Sequence, residues 1–265
     1  MGFVAELFHP IYLPFTADQL REHFAPVADP GDKDRHLKYY YASVDAAKEY
    51  DQLIRTKKAT PAQTRLGRQM EKDERFWVAT ALMKLYHADG GSARVAAFAD
   101  LLERAGLRPP AGLPRWDDAL AGPLALYFEA NLPSPRSYRV WLRDHLDERA
   151  PIPYLKVQAA AAGSRLEGTT KADAMLLAED TGVAVIFEAK VLSDVSTHVT
   201  FDIARNQLAR IIDVMLDANP ELLPPLTCRR PEQTFLVLLT PAALQAGRTG
   251  DAISKSRLYG WLMPA

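Results

Sequence analysis

Three residues of this 265-residue chain have the types and spacing to do chemistry: Asp173, Glu188 and Lys190. Asp173 closes the segment Glu167-Gly-Thr-Thr-Lys171-Ala-Asp173. Glu188 and Lys190 belong to Phe187-Glu188-Ala189-Lys190, beyond the turn-forming Glu179-Asp180-Thr181-Gly182. Side chains alternate along a strand, so Glu188 and Lys190 share a face. If the turn is centred between Asp180 and Thr181, cross-strand partners have numbers summing to 361, and Asp173 faces Glu188 with Cβ atoms about 5 Å apart. A turn shifted by one residue sets Asp173 opposite Lys190 instead and keeps the three groups together. Two carboxylates facing each other in an apolar sheet repel, and they are costly to bury unpaired. A divalent cation removes that cost, because Mg2+ is held by one or two carboxylates while keeping several waters. Lys190, beside such a water, can orient a nucleophile or stabilise charge on a phosphoryl oxygen. On an exposed strand a Glu-x-Lys is an ordinary solvated ion pair, but this one ends a run, Val183 to Ala189, too apolar to lie in water.

An Asp followed fifteen residues later by Glu-Ala-Lys at the end of an apolar strand resembles the signature of the PD-(D/E)XK nuclease superfamily, which includes restriction endonucleases, Holliday-junction resolvases and RecB-like nucleases. The resemblance is confined to the C-terminal half. It implies an α/β fold with a restriction-endonuclease-like mixed sheet flanked by helices. It further implies Mg2+-dependent hydrolysis of DNA phosphodiesters, with Mn2+ able to substitute, in a homodimer or larger homo-oligomer. Asp173 and Glu188 would bind the metal and Lys190 would serve the attacking water. The Pro usual before the first Asp is Ala172 here. Members also supply a Glu from the first core helix, for which Glu129 and Glu148 are candidates. Glu167 ranks above Glu129 as the additional acid. Six extended residues span about 20 Å, so Glu167 reaches the same ion only if Gly168 bends the chain; otherwise it holds a second ion.

The segment Phe201 to Leu216 has helical periodicity. Asp202, Asn206, Arg210, Asp213 and Asp217 form its polar face, while Gln207 falls among Ile203, Ile211 and Val214. A Gln on an apolar stripe must find partners or cost stability. RecB-like nucleases place a supporting Gln in this helix, and Gln207 is similar, although the Tyr expected four residues later is Ile211. Arg205 and Arg210 are candidate phosphate contacts. Thr170 and Lys171 either join them or line the start of the strand.

The surrounding elements divide near residues 146–153. Residues 1–150 read as an all-helical domain for DNA binding, regulation or oligomerisation, with helices over about 40–54, 60–87, 92–102 and 134–145 marked by Ser/Thr-Pro caps and Gly stops. Residues 151–265 read as the nuclease-like domain, with strands at 172–178, 183–189 and 234–239.

Composition excludes more than it specifies. With 48% apolar and 25% charged residues the chain is globular, and a net charge of −1 means that any polyanion must be met by a local patch. Arg55 to Arg75, with seven Lys or Arg against three acids and Tyr39-Tyr40-Tyr41 upstream, is the best such patch. A lone cysteine, Cys228, excludes an internal disulfide. His87, His145 and His198 lack ligand spacing, so zinc is not expected. No phosphate-binding Gly-rich loop or nucleophile elbow is present. No apolar run approaches the ~20 residues of a membrane span, and the first residues do not read as a signal peptide, so a cytoplasmic location is expected. Two rivals stand beside the DNA nuclease: a non-catalytic interaction module keeping the fold, and a metal-dependent hydrolase of RNA or small nucleotides.

Overall fold

The computed structural model describes residues 15–24, 30–58, 60, 73–149, 152, 154–155, 157, 166–190 and 205–240. These form a mixed α/β structure with a four-stranded sheet and seven helices. The helices are α1 (Ala17–Phe24), α2 (Pro30–Arg55), α3 (Glu74–Tyr86), α4 (Arg94–Arg104), α5 (Trp116–Ala119), α6 (Arg136–Asp144) and α7 (Gln207–Leu216). The strands are β1 (Leu124–Leu132), β2 (Thr170–Ala178), β3 (Val183–Ala189) and β4 (Thr234–Leu239). The sheet order is β1-β2-β3-β4, antiparallel except for the parallel β3/β4 pair. No helix among the described residues is long and apolar enough to cross a membrane.

Alternation along the strands builds two apolar layers. Leu126, Phe128, Leu176, Val185 and Phe187 pack with Leu20, Phe24, Tyr40, Phe76, Leu82, Phe98 and Trp116 from the helices that precede the sheet. Tyr127, Met175, Leu177, Ala184 and Ile186 pack with Ile211 and Val214 of α7. The β3 strand is buried at every position, as a strand covered on both faces must be.

Several expectations are corrected. The first 150 residues are not all helical, because Leu124–Leu132 is an edge strand paired along its length with β2. It lies between Pro123 and Pro133, and its apolar residues pair with β2 as a strand. One apolar cluster includes residues from both sides of position 150. Ser134 does not cap α6; Pro135 occupies that place, and Ser134 Oγ donates to Gly168 O at 2.9 Å. The helix after β3 starts at Gln207, because Asn206 caps it by accepting from Ala209 N at 2.9 Å. Residues 201–204 and 61–72 of the expected helices lie outside the described residues.

The β2–β3 turn depends on Gly182. Its φ is +73°, and an added Cβ would lie 2.8 Å from Cys228 O and 2.7 Å from Arg230 Cγ. Gly182→Ala is expected to cost about 1–3 kcal/mol, read as a lowered urea midpoint at unchanged m. An unshifted midpoint would mean that the turn relaxes.

Candidate active site

Every β2/β3 ladder pair, from Ala178↔Val183 to Ala174↔Phe187, sums to 361. The next pair in that register is Asp173 with Glu188, but regular pairing ends before it. The Ala189 N–H donates to Asp173 Oδ2 at 2.7 Å, so the carboxylate bridges the end of the ladder. The parallel β3/β4 pairing runs on to Ala189↔Leu239, and Lys190 N donates to Leu239 O at 2.9 Å. Lys190 Nζ donates to Glu188 Oε1 at 2.5 Å and to Ala189 O at 2.7 Å.

The neighbouring strand adds a third acid. The β1/β2 register skips Glu129 opposite Asp173, passing from Phe128↔Ala174 to Ala130↔Ala172. Glu129 has φ +53°, rare for a residue with a side chain. At this point the alternation inverts: Leu126 and Phe128 face one apolar layer, whereas Ala130 and Leu132 join the other. The same inversion separates Ala174 from Ala172 on β2. Such irregularities re-aim side chains, and here two acids stand at the break.

A fourth acid comes from α3. Asp73 caps that helix, accepting from Arg75 N at 3.1 Å and from the Arg75 side chain at 3.0 and 2.8 Å, while the Tyr39 hydroxyl also donates to it. Burial raises the Asp73 pKa, but Arg75 and Tyr39 outweigh burial and hold it below its ordinary value. This lock fixes the first turn of α3, and Glu74 Oε2 meets Lys190 Nζ at 3.5 Å. Sequence reasoning saw Glu74 only as one acid inside a basic stretch. Its signal was Asp73-Glu74 opening an apolar helix, where acids suit the N-terminus.

Electrostatically the site holds excess negative charge. Burial first, then Asp173, pushes Glu129 up to about 7. Burial and then Asp173 push Glu188 up to about 8 against the pull of Lys190. Asp173 is raised by burial as well. Burial lowers Lys190, but Glu188, Glu74 and Asp173 outweigh it and keep the amine above its ordinary value. Glu188 is fully buried and Lys190 is 5% exposed, whereas Asp173, Glu129 and Glu74 keep partial contact with solvent. Glu188 Oε2 is buried without a hydrogen-bond partner.

A stability profile follows. Between the ordinary carboxyl range and about pH 8 the folded chain holds protons on Glu129 and Glu188 that the unfolded chain has lost. Their contribution is therefore full at low pH and lost as pH rises through about 7 to 8. Without divalent cations, the Tm of wild type is expected to fall across that window more steeply than that of Glu188→Gln. Parallel profiles for the two proteins would contradict this.

The other expected site residues lie elsewhere in the network. Glu167 is buried and accepts from Arg205 Nη1 at 2.9 Å and Arg210 Nη2 at 2.9 Å. Arg205 also reaches Asp213 and stacks 3.5 Å over the Tyr138 ring, while Arg210 donates to Gly168 O and Thr169 O. The structure joins Glu167, Arg205 and Arg210 to one another rather than to Asp173, and all three are buried. Gln207, half-buried, begins α7. Thr170 is buried at the start of β2, and Lys171 lies close enough to Glu129 to lower its pKa. Of the basic stretch only its ends are described, where Arg75 is held by Asp73; Tyr40 is core, at 1% exposure. No protein-family model, curated protein or solved structure matches this chain.

Proposed function

We propose that the chain is a metal-dependent nuclease of the restriction-endonuclease-like kind, hydrolysing DNA phosphodiesters at Asp173, Glu188 and Lys190. One observation carries the reading: a fully buried carboxylate, Glu188, has one oxygen on Lys190 and the other without a partner, with Asp173 next in register. The donor set fits Mg2+ or Mn2+, since it consists of carboxylate oxygens whose pKa values are raised by burial first and by neighbouring acids second. Asp173 and Glu188 would hold the ion. Bound there, a divalent cation would offset charge on the phosphoryl oxygens and acidify a coordinated water.

The protein's own groups have separable tasks. Lys190 keeps its proton because three acids surround it, so it acts as a hydrogen-bond donor and fixed positive charge rather than as a base. Its ammonium, held by Glu188 and Ala189 O, can steady the incoming water or a non-bridging phosphoryl oxygen. Glu74 takes the helix-borne acid position that the resemblance implied, ahead of Glu129, Glu148 or Glu167, because it contacts Lys190 from α3. Water adds to phosphorus in line with the departing sugar oxygen, leaving a phosphomonoester and an alcohol. Because Arg205 and Arg210 are engaged by Glu167, contacts with a DNA backbone would fall to exposed cations, such as Arg136 and Arg143 on α6. A homodimer would bring two sites to the two strands.

The burial of Glu188 and Lys190 favours the second reading, a non-catalytic module keeping the fold. The test incubates plasmid DNA and, separately, RNA with the full chain under Mg2+, Mn2+ or EDTA. Cleavage of DNA that needs metal supports the nuclease. Absence of cleavage under every metal condition supports the module, and degradation of RNA alone moves the substrate class.

A further inference from the structure

A second cluster of ligating side chains lies on the helical side of the sheet. Glu22 and His23 of α1 and His87, which follows α3, are the one trio of His, Cys, Asp or Glu among the described residues whose ligand atoms all lie within 4.8 Å of one another. His23 and His87 present their Nε2 atoms to each other at 2.9 Å. His23 is fully buried, and its Nδ1 lies 2.8 Å from Leu126 O. A carbonyl accepts only, so this nitrogen carries the proton and the His23 Nε2 lone pair points at His87. A backbone carbonyl on the far nitrogen is the arrangement that orients metal-bound imidazoles. Tyr86 donates its hydroxyl proton to Leu124 O at 2.8 Å, and the same oxygen stands 3.4 Å from Glu22 Oε1.

We propose that Glu22, His23 and His87 form a transition-metal site of the zinc class, with a water in the fourth position, that ties α1 to the end of α3. Two imidazole nitrogens bound at about 2.05 Å in tetrahedral geometry stand about 3.3 Å apart, so the observed 2.9 Å opens to that with a small swing of the outer ring, His87. His87 is half-buried and lines a cavity with Phe15, Thr80, Lys84, Ala88 and Asp89, which leaves a route from solvent. Imidazole ligands select zinc-like ions over Mg2+, so this site and the acidic cluster take different metals. Arg94, stacked 3.9 Å over the Tyr86 ring, opposes a cation here; Glu22 supplies the compensating charge. Burial holds both imidazoles below their ordinary pKa, His23 at about 4, so both rings are neutral at neutral pH; without metal His87 Nε2–H donates to His23 Nε2, and an ion takes the place of that proton once it shifts to the other His87 ring nitrogen.

Sequence spacing could not reveal this site, because its histidines lie 64 residues apart, one on α1 and the other just past the end of α3. The test strips the full chain with a chelator and titrates Zn2+ calorimetrically in excess Mg2+, which occupies carboxylate sites. Wild type should bind a single equivalent, raise its Tm by roughly 5 °C at a hundredfold excess over Kd, and give tetrahedral absorption bands with Co2+. His87→Ala and Glu22→Gln, both at solvent-accessible positions, should weaken Zn2+ by at least about tenfold while Asp173→Asn leaves it unchanged. Failure of wild type to bind Zn2+ overturns the proposal. So does binding that survives both His87→Ala and Glu22→Gln, or that Asp173→Asn removes. None of these outcomes depends on DNA cleavage.

Discussion

Lys190→Ala is expected to lower kcat for DNA cleavage by about 10²–10³-fold with little change in KM, the signature of an interaction made mainly in the transition state. Lys190 meets both Glu188 and Glu74, and its acidic neighbours keep it protonated. Removing it also leaves the buried Glu188 without its cation, so Lys190→Met, which preserves packing, serves as a second variant with folding checked by Tm. Asp173→Asn isolates the other half of the site. The amide oxygen can still accept from Ala189 N while the charge is gone, so a loss of comparable size would reflect charge rather than the bridge across β2 and β3. Cleavage within about threefold of wild type in both variants would remove these residues from catalysis.

The second large effect concerns stability. Glu167→Ala is expected to destabilise the chain by about 3–5 kcal/mol, because its carboxylate is shared by two buried guanidinium groups. Asp213 and the Tyr138 ring retain part of the hold on Arg205, and Gly168 O and Thr169 O part of that on Arg210, so loss towards the lower end is expected. Glu167→Gln keeps an acceptor oxygen and should lose less. If Glu167 serves only this ion-pair network, the folded Gln variant cleaves DNA like wild type. A folded Glu167→Gln protein that binds divalent cations more weakly would return Glu167 to the metal site. Chemical denaturation and cleavage, measured on the same preparations, separate the two.

How much was legible varies with the range of the interaction. The strands β3 and β4 announce themselves as continuous apolar runs, and the turn at 179–182 sets the β2/β3 register, because a hairpin's pairing follows from its turn. The acid–amine contact between Glu188 and Lys190 follows from the pleat, since Lys190, just past the end of β3, is two residues from Glu188 in extended chain. Glu129 lies on a strand and not on a helix, which the sequence leaves open because Tyr127-Phe128-Glu129-Ala130 reads equally as either and only pairing with β2 decides. Glu167, Arg205 and Arg210 are charges near an acidic motif that must be compensated, and only the structure reveals that they pair with one another.

Local chemistry thus determined the hairpin, its polar end and the apolar strands, since each rests on residues a few positions apart. Tertiary structure alone decided that α3 delivers Glu74 to Lys190, that β1 breaks its alternation at Glu129, and that His23 meets His87. Those contacts join segments tens of residues apart, and the packing of helices on both faces of the sheet, not any periodicity along the chain, sets which side chains meet.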